Sequence, residues 1–121
     1  MKISEISGQC FKDNSNRILN GSVHKENDFI RIEDCKQFCY VNGYIYAGVQ
    51  YSRQCFCGNT VPKQMMPIAQ CDMNCIGDES QICGGSWAMN IFDLSNEGYF
   101  NNSLFKVLFI CLFFHSPYFR T

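Results

Sequence analysis

Cysteine is the residue type in this 121-residue chain whose number and spacing point most directly to chemistry. Eight of the nine cysteines lie in one series, at Cys10, Cys35, Cys39, Cys55, Cys57, Cys71, Cys75 and Cys83. An even set at this density is typical of a small secreted domain that needs covalent cross-links to support a small core. We therefore expect four disulfides formed in an oxidising, extracytoplasmic compartment.

Zinc binding is the competing interpretation of these cysteines. Pairs such as Cys35/Cys39 fall within the spacing that zinc sites use. Cys55 and Cys57 lie two apart on a predicted strand, so both thiolates would project from one face, which suits a tetrahedral site poorly. We expect no metal and no cofactor, and a cytosolic zinc protein ranks behind the extracellular interpretations.

The pattern around the cysteines predicts the elements that position them. Apolar and cysteine residues three and four apart predict a helix at Ile32–Val41. Runs rich in aromatic and β-branched residues predict a hairpin of 44–51 and Gln54–Gly58, turning at Ser52-Arg53. We expect further strands at Gln9–Lys12 and 87–94, with loops before the helix and irregular structure over 59–80. The predicted fold is a small disulfide-rich α+β domain, with one helix clamped by disulfides on a small antiparallel sheet.

The spacing allows the helix and the hairpin to be joined by two bridges. Cys35 and Cys39 would lie roughly 6 Å apart on one helix face, and Cys55 and Cys57 roughly 6.5–7 Å apart on one strand face. Two side-by-side disulfides fit this arrangement, either Cys35–Cys55 with Cys39–Cys57 or the crossed set. Geometry alone does not choose between them.

The other four cysteines are less constrained. Cys75 and Cys83 can close a short local loop, which would leave Cys10 to reach Cys71. On the chain-entropy model that long closure stabilises the fold by roughly 4 kcal/mol. Because eight cysteines allow about a hundred pairings, the spacing leaves the connectivity open.

Charge and histidine content narrow the possible functions. The net charge is −1 and the basic residues are scattered, so we expect binding neither to nucleic acid nor to an anionic membrane surface. His24 lies in a polar stretch and His115 near the end of the chain, and neither forms a recognisable pair with a nucleophile. We expect no enzymatic activity and no catalytic residues.

The two ends of the chain differ from the cysteine-bearing part. Residues 1–7 form a leader of unclear status without the apolar stretch of a secretory signal, so we expect a fragment of a longer secreted or membrane-anchored protein. Residues 95–121 are read as a linker and an apolar tail outside the domain, with Cys111 as an odd thiol. A truncated or misread gene end, the start of a membrane anchor and a lipid-anchor signal are the three interpretations of this tail.

Three motifs together resemble the WSC domain, a cysteine-rich extracellular module, over residues 8–94. The segment CFKDNSNRILNG from Cys10 is similar to CFxDxxxRxLxG. The segment GYIYAGVQYSRQCFCGN from Gly43 resembles GYxYAGxEYxxECYCGN, and CGGSWAMNIF from Cys83 resembles CGGxxRxxxY. All eight cysteine positions match this family.

The resemblance implies a connectivity and a function. It implies the pairs Cys10–Cys71, Cys35–Cys55, Cys39–Cys57 and Cys75–Cys83. Family members occur in fungal cell-wall sensors and animal surface receptors, commonly with a proposed carbohydrate-binding role. We therefore expect an extracellular or cell-surface, non-catalytic module that binds a glycan of a wall, matrix or glycoprotein. The alternative is a protein-binding receptor or accessory module of a larger protein, with a cell-surface protein as partner.

Three positions depart from the family pattern. Gln50 and Gln54 replace two carboxylates, and Ala88 replaces an arginine. If these charges pair with one another in other members, their joint loss is coherent and the fold survives. If they bind ligand, this chain binds weakly or not at all.

Sugar recognition requires aromatic faces for stacking and planar polar groups for hydrogen bonds to hydroxyls. The candidate residues of both kinds are Tyr44, Tyr46, Tyr51, Trp87, Gln50, Gln54, Asn59 and Asn90. Trp87 is the leading candidate because it follows two glycines and precedes a strand. Tyr44 and Tyr46 are expected to share a strand face, where a role in the core competes with binding. Two sequons, at Asn20 and Asn101, are consistent with a secreted glycoprotein.

Overall fold

One helix packs on an antiparallel sheet in a computed structural model that describes residues 6–22 and 24–96. The strands over these residues are β1 (Gln9–Lys12), β2 (His24–Glu26), β3 (Tyr46–Gln50), β4 (Gln54–Gly58), β5 (Met65–Met66), β6 (Asn74–Cys75), β7 (Asp78–Ile82) and β8 (Ala88–Asp93). Helix α1 spans Ile32–Val41, and 3₁₀ turns span Ile68–Gln70 and Leu94–Asn96. The fold is a small disulfide-rich α+β domain, as the sequence predicts.

The main sheet has the strand order β2-β4-β3-β8-β1-β5, and every pairing in it is antiparallel. β6 and β7 form a separate two-stranded sheet. The β3–β4 hairpin therefore lies next to β8, although the whole irregular region of 59–80 separates them in sequence. This order brings the residues before β8 close to the turn of the hairpin.

Helix α1 begins and ends where the sequence predicts. Asp34 accepts hydrogen bonds from the backbone nitrogen and the side chain of Arg31, which fixes the amino end of the helix. These hydrogen bonds hold the pKa of the Asp34 carboxyl below its usual range. The chain leaves the helix at Asn42, and Gly43 follows in the left-handed region at φ 88°, where glycine carries no steric penalty.

Two disulfides clamp the helix on β4. Cys35–Cys55 and Cys39–Cys57 have Cα separations of 5.5 and 5.3 Å, so the uncrossed set is the one that forms. The sulfurs of Cys35, Cys39 and Cys55 lie within 4.8 Å of one another, but each belongs to a disulfide and none is a thiolate. This arrangement gives no support to the zinc interpretation.

The remaining two bridges tie the irregular region to the sheet. Cys10–Cys71 anchors it to β1, and Cys75–Cys83 joins β6 to the segment before β8. All four pairs are those that the family resemblance implies.

Both faces of the main sheet are covered. On the α1 side lie the disulfide-rich core residues Ile30, Cys35, Cys39, Ala47, Val49, Cys55, Cys57, Cys75, Cys83 and Leu94. On the opposite side lie Ile6, Phe11, Leu19, Tyr46, Phe56, Met89 and Ile91, over which the 13–22 loop folds. Ile6 is buried in this second group, and the Ser7 hydroxyl accepts a hydrogen bond from the Asp93 backbone nitrogen over 2.8 Å.

The predicted strands differ from the observed ones mainly in length and number. β3 begins at Tyr46, two residues later than predicted, and the hairpin turn spans three residues, 51–53. β2 forms where a loop is predicted, because its three polar residues pair with β4. Its short sequence has no alternation of apolar and polar residues by which a strand could be predicted. Within 59–80, described as irregular, the chain forms β5, β6, most of β7 and a 3₁₀ turn.

Several sequence predictions concern residues outside the described part of the chain. These are the nature of the apolar tail, the free thiol of Cys111 and the sequon at Asn101. Residues 6–22 and 24–96 contain no helix with the length and apolar character that a membrane span requires.

Candidate functional site

A cleft lies on the sheet face opposite α1, at the turn end of the β3–β4 hairpin. Gln50 and Gln54 pair across this hairpin and project from that face. The cleft has a volume of about 280 Å³, and its lining residues are Arg17, Gln50, Tyr51, Gln54, Ser86 and Trp87. We call it the first cleft. It brings together four of the eight candidate sugar-binding residues, Trp87, Tyr51, Gln50 and Gln54.

Two large aromatic side chains of the first cleft are open to solvent. Tyr51 and Trp87 are each 50% exposed, although aromatic residues of this size usually bury most of their surface. Tyr51 comes from the hairpin turn and Trp87 from the segment before β8. Exposed rings at the wall of a cleft can stack on a planar apolar surface of a ligand.

Arg17 supplies the charged group of the first cleft. Its guanidinium carbon lies 4.9 Å from the centre of the Phe56 ring and 5.0 Å from the centre of the Trp87 ring. The guanidinium also donates a hydrogen bond to the Asp13 carboxylate over 2.8 Å, and the Asp13 side chain is fully buried. Asp13 accepts a further hydrogen bond from the Ile18 backbone. The ion pair therefore fixes the loop and holds the arginine plane between the two rings.

Backbone strain is concentrated at this cleft. Among described residues, four non-glycine residues adopt left-handed conformations: Arg17, Tyr51, Ser52 and Trp87, with φ between 53° and 69°. Three of the four line the first cleft. Such conformations cost of order 1–3 kcal/mol each and concentrate at functional sites. The chain accepts this cost at the three residues that present an aromatic or cationic side chain to the cleft.

The first cleft also contains planar polar groups. Gln50 is almost fully buried, and its Oε1 atom accepts no hydrogen bond from the described residues. Gln54 is half-buried and lies 3.5 Å from the Glu26 carboxylate through its Nε2 atom. These amides can exchange hydrogen bonds with hydroxyl groups.

A second cleft adjoins the first on the same sheet face. It has a volume of about 360 Å³, and its lining residues are Asn16, Arg17, Leu19, Asn20, Gly21, His24, Glu26, Gln54 and Phe56. Arg17 and Gln54 line both clefts. The sequon asparagine, Asn20, is exposed at the second cleft.

Tyr44 and Asn59 have structural contacts away from the first cleft. Tyr44 precedes β3, and its hydroxyl accepts a hydrogen bond from the Ser22 backbone over 2.8 Å. Hydrogen bonds from the side chain and backbone of Ser22 lower the pKa of Tyr44. The side-chain oxygen of Asn59 accepts a hydrogen bond from the Ile45 backbone over 2.9 Å. These residues fix the start of the hairpin and the end of the 13–22 loop.

Tyr46 and Asn90 are buried. Tyr46 is 0% exposed, and burial, with a smaller contribution from Asp93, raises its pKa. The sequence predicts that Tyr44 and Tyr46 share a strand face. They do not, because Tyr44 lies outside β3. Asn90 accepts a hydrogen bond from the Gly84 backbone over 2.7 Å and donates to the Gly8 carbonyl. Both residues therefore lie outside the candidate surface, and Asn90 positions the glycine turn that precedes Trp87.

The three departures from the family pattern do not lie in one place. Gln50 pairs with Met89 across β3 and β8, so the neighbouring Ala88 side chain points to the other face of the sheet. Ala88 is buried there against Cys10 and Cys71. A direct pairing between position 88 and the two glutamine positions is not favoured by this register.

Five residues that line the two clefts are not among the candidates chosen from the sequence: Arg17, Ser86, His24, Glu26 and Phe56. Arg17 had a usable signal, because it lies four residues after Asp13 within the opening motif. His24 and Glu26 had no such signal in the sequence, since β2 is recognisable as a strand only through its pairing with β4.

Comparison with known proteins identifies the family. The WSC domain model matches residues 8–85. The chain is 39% identical over 93 residues to "Xylosyltransferase oxt" of Drosophila melanogaster, a match that covers 74% of this chain and 11% of that protein. It is 34% identical over 92 residues to a "WSC domain-containing protein" of Arthroderma benhamiae, covering 72% and 10%.

A third relative is "Kremen protein 2" of Homo sapiens, 32% identical over 69 residues, covering 54% of this chain and 15% of that protein. The matched region is thus a small part of each of these relatives, so the similarity concerns a domain and not their complete architecture. The family model covers more than half of the chain, and the four bridges are in place. The chain therefore belongs to the WSC domain family.

Proposed function

We propose that the chain is an extracellular module that binds carbohydrate at the first cleft without catalysing a reaction on it. The observation that carries this proposal is the composition of the cleft. Two half-exposed aromatic side chains, Tyr51 and Trp87, stand beside two amides, Gln50 and Gln54. The three residues that project rings or a guanidinium into it do so from strained backbone.

The chemistry of the cleft suits a sugar. A pyranose ring offers an apolar face that can stack on Trp87 or Tyr51, and hydroxyls that can bond to amides at its edge. The unpaired Oε1 of Gln50 is an acceptor that a ligand hydroxyl can satisfy after a small side-chain rotation, which offsets the cost of a buried polar atom. The charge of Arg17 is balanced by Asp13, so the cleft favours an uncharged, hydroxyl-rich ligand.

The proposed location rests on the disulfides. Four bridges in a domain of this size form and persist in oxidising compartments. We propose that the chain acts outside the cell or at its surface, as part of a larger protein.

Screening the oxidised 121-residue chain on an array of wall, matrix and glycoprotein glycans tests this function. Trp87→Ala should reduce binding at least about tenfold, since removal of a central aromatic side chain usually costs that much. Phe29→Ala is the matched control, because Phe29 is 81% exposed and lies outside both clefts. Loss of binding in the control but not in Trp87→Ala, or no binding to any glycan, contradicts the proposal.

Protein binding is the second candidate, favoured by Phe29 itself. This side chain protrudes beside α1, at a depression of about 390 Å³ that Lys25, Asp34 and Phe38 also line. Exposed aromatic residues with charged neighbours are typical of protein contacts. A partner protein whose binding falls with Phe29→Ala but not with Trp87→Ala would support this alternative.

A further inference from the structure

The first and second clefts adjoin each other on the sheet face opposite α1. Arg17 and Gln54 line both, so the two volumes of about 280 and 360 Å³ meet at these two side chains. The second cleft extends toward β2, the edge strand of the sheet. A ligand seated against Trp87 therefore has room to continue in one direction, across the strands.

A row of polar side chains follows this direction. Gln50 pairs with Gln54 across β3 and β4, and Gln54 pairs with Glu26 across β4 and β2. Paired residues project from the same face, and neighbouring strands lie roughly 4.8 Å apart. The row presents an amide, an amide and a carboxylate at regular intervals from the first cleft into the second. Repeated planar groups of this kind match the repeated hydroxyls of a linear chain of sugars.

The next row across the strands supplies flat surfaces. His24 pairs with Phe56, and their rings are stacked at 6.0 Å with an interplanar angle of 20°. His24 is exposed, whereas Phe56 is nearly buried beneath the Arg17 guanidinium. Trp87, Arg17, Phe56 and His24 thus form a series of successive planar contacts that leads from the first cleft to the second.

We infer that the second cleft is a second sugar subsite, formed by His24, Glu26 and Gln54, and that the ligand is an uncharged oligosaccharide that spans both clefts across β3, β4 and β2. This inference rests on the proposed function and extends it from a single sugar to a chain. Glu26 accepts from sugar hydroxyls in the same row as the two glutamines, and the exposed face of His24 stacks on a sugar ring.

Binding measured against ligand length tests the second subsite. The 121-residue chain is produced in a bacterial periplasm, where Asn20 stays unmodified and the second cleft stays open. Calorimetric titrations use two ladders of one to six units, chito-oligosaccharides and laminari-oligosaccharides, each as a separate probe. For a ladder that binds, affinity should rise at least about tenfold between one and three units and then level off.

The variants separate this inference from the proposed function. His24→Ala should lower the affinity for the six-unit probe about fivefold and leave that for one unit unchanged. Lys25→Ala is the matched control, since Lys25 lies on the same strand but projects to the opposite face, toward Phe38. A flat length profile, or equal effects of His24→Ala and Lys25→Ala, overturns the second subsite while Trp87-dependent binding upholds the first. Absence of binding to both ladders overturns the oligosaccharide ligand inferred here, whereas the proposed function fails only if no glycan of the array binds.

Discussion

The guanidinium of Arg17 lies over the ring of Trp87 at 5.0 Å, although the two residues come from opposite ends of the described chain. The contact joins the 13–22 loop to the segment before β8. Because the same guanidinium is paired with the buried Asp13 carboxylate, the position of Trp87 depends on an ion pair in the loop. Stability and the shape of the cleft are therefore coupled at Arg17.

Arg17→Ala should destabilise the fold by about 2 kcal/mol, because it leaves the buried Asp13 carboxylate without its cationic partner. The Asp13→Asn/Arg17→Ala double variant should recover part of this loss, since it removes the buried charge as well. Denaturant unfolding followed by circular dichroism measures both. A double variant less stable than Arg17→Ala would show that the ion pair is not the source of the effect.

Trp87 is the sole tryptophan of the chain, so its fluorescence reports on the same contact directly. Arg17→Ala should change the emission maximum or quenching of the folded protein, because the ring loses the cation over its face. Arg17→Lys should give an intermediate result, since lysine keeps the charge but not the planar group. Identical spectra for all three proteins would contradict the contact.

Gly48→Ala should disturb the packing of the 13–22 loop on the sheet. A Cβ atom at Gly48 would overlap Sδ of Met89 and lie 2.9 Å from Cδ1 of Leu19. We expect a loss of about 1–3 kcal/mol from overpacking, together with weaker glycan binding because Leu19 belongs to the loop that carries Arg17.

The matched control for Gly48→Ala is Gly43→Ala. Gly43 has no neighbour within 4 Å of the added methyl group, and its φ is 88°. Its substitution should cost about 1 kcal/mol through the backbone alone and leave glycan binding unchanged. Equal effects of the two variants on binding would refute a packing route from Gly48 to the cleft.

The cap of α1 should make part of the stability pH-dependent. Arg31 holds the pKa of Asp34 below its usual range, so the folded state favours the ionised carboxylate. Its contribution is therefore present at neutral pH and is lost as the pH falls through the folded-state pKa. Asp34→Asn should be less stable by about 0.5–1 kcal/mol at pH 7, a small value because the pair is partly solvated. The difference in the free energy of unfolding between Asp34→Asn and the wild type should disappear once the pH is low enough to protonate the Asp34 carboxyl. A difference that persists in acid would contradict this role of the helix cap.

The bridges should differ in their contribution to stability. Cys10–Cys71 spans 61 residues and Cys75–Cys83 spans 8. On the chain-entropy model, replacing the first pair by alanines should destabilise the fold by about 2 kcal/mol more than replacing the second. Denaturant midpoints of the two variants measure the difference, and a larger loss for the short bridge would contradict this ranking.

The helix, the hairpin and the presence of two bridges between them could be predicted because local spacing determines them, whereas the choice of the uncrossed pairs came from the family resemblance. Cysteines four apart on the helix and two apart on the strand impose matching faces, and the helix bounds agree with the prediction. β2 could not be predicted, since three polar residues become a strand only when β4 lies beside them. Tyr46 is a binding candidate by residue type alone, and its burial depends on the packing of the sheet face on which it lies.

The cleft could be predicted only in part. Trp87, Tyr51, Gln50 and Gln54 are recognisable by residue type, and they lie together in the first cleft. The position of Arg17 depends on a left-handed backbone and on contacts with Phe56 and Trp87 that are distant in sequence. No local sequence pattern predicts that the segments carrying Arg17, Phe56 and Trp87 come into contact.

Glycan binding at the first cleft is tested most directly by an amide chemical-shift map of the ¹⁵N-labelled chain, titrated with the glycan that it binds most tightly on the array. We expect the largest shifts at Arg17, Gln54 and Trp87, on the sheet face opposite α1. Shifts centred on Phe29 and Phe38, or no saturable shift with any glycan of the array, would contradict it.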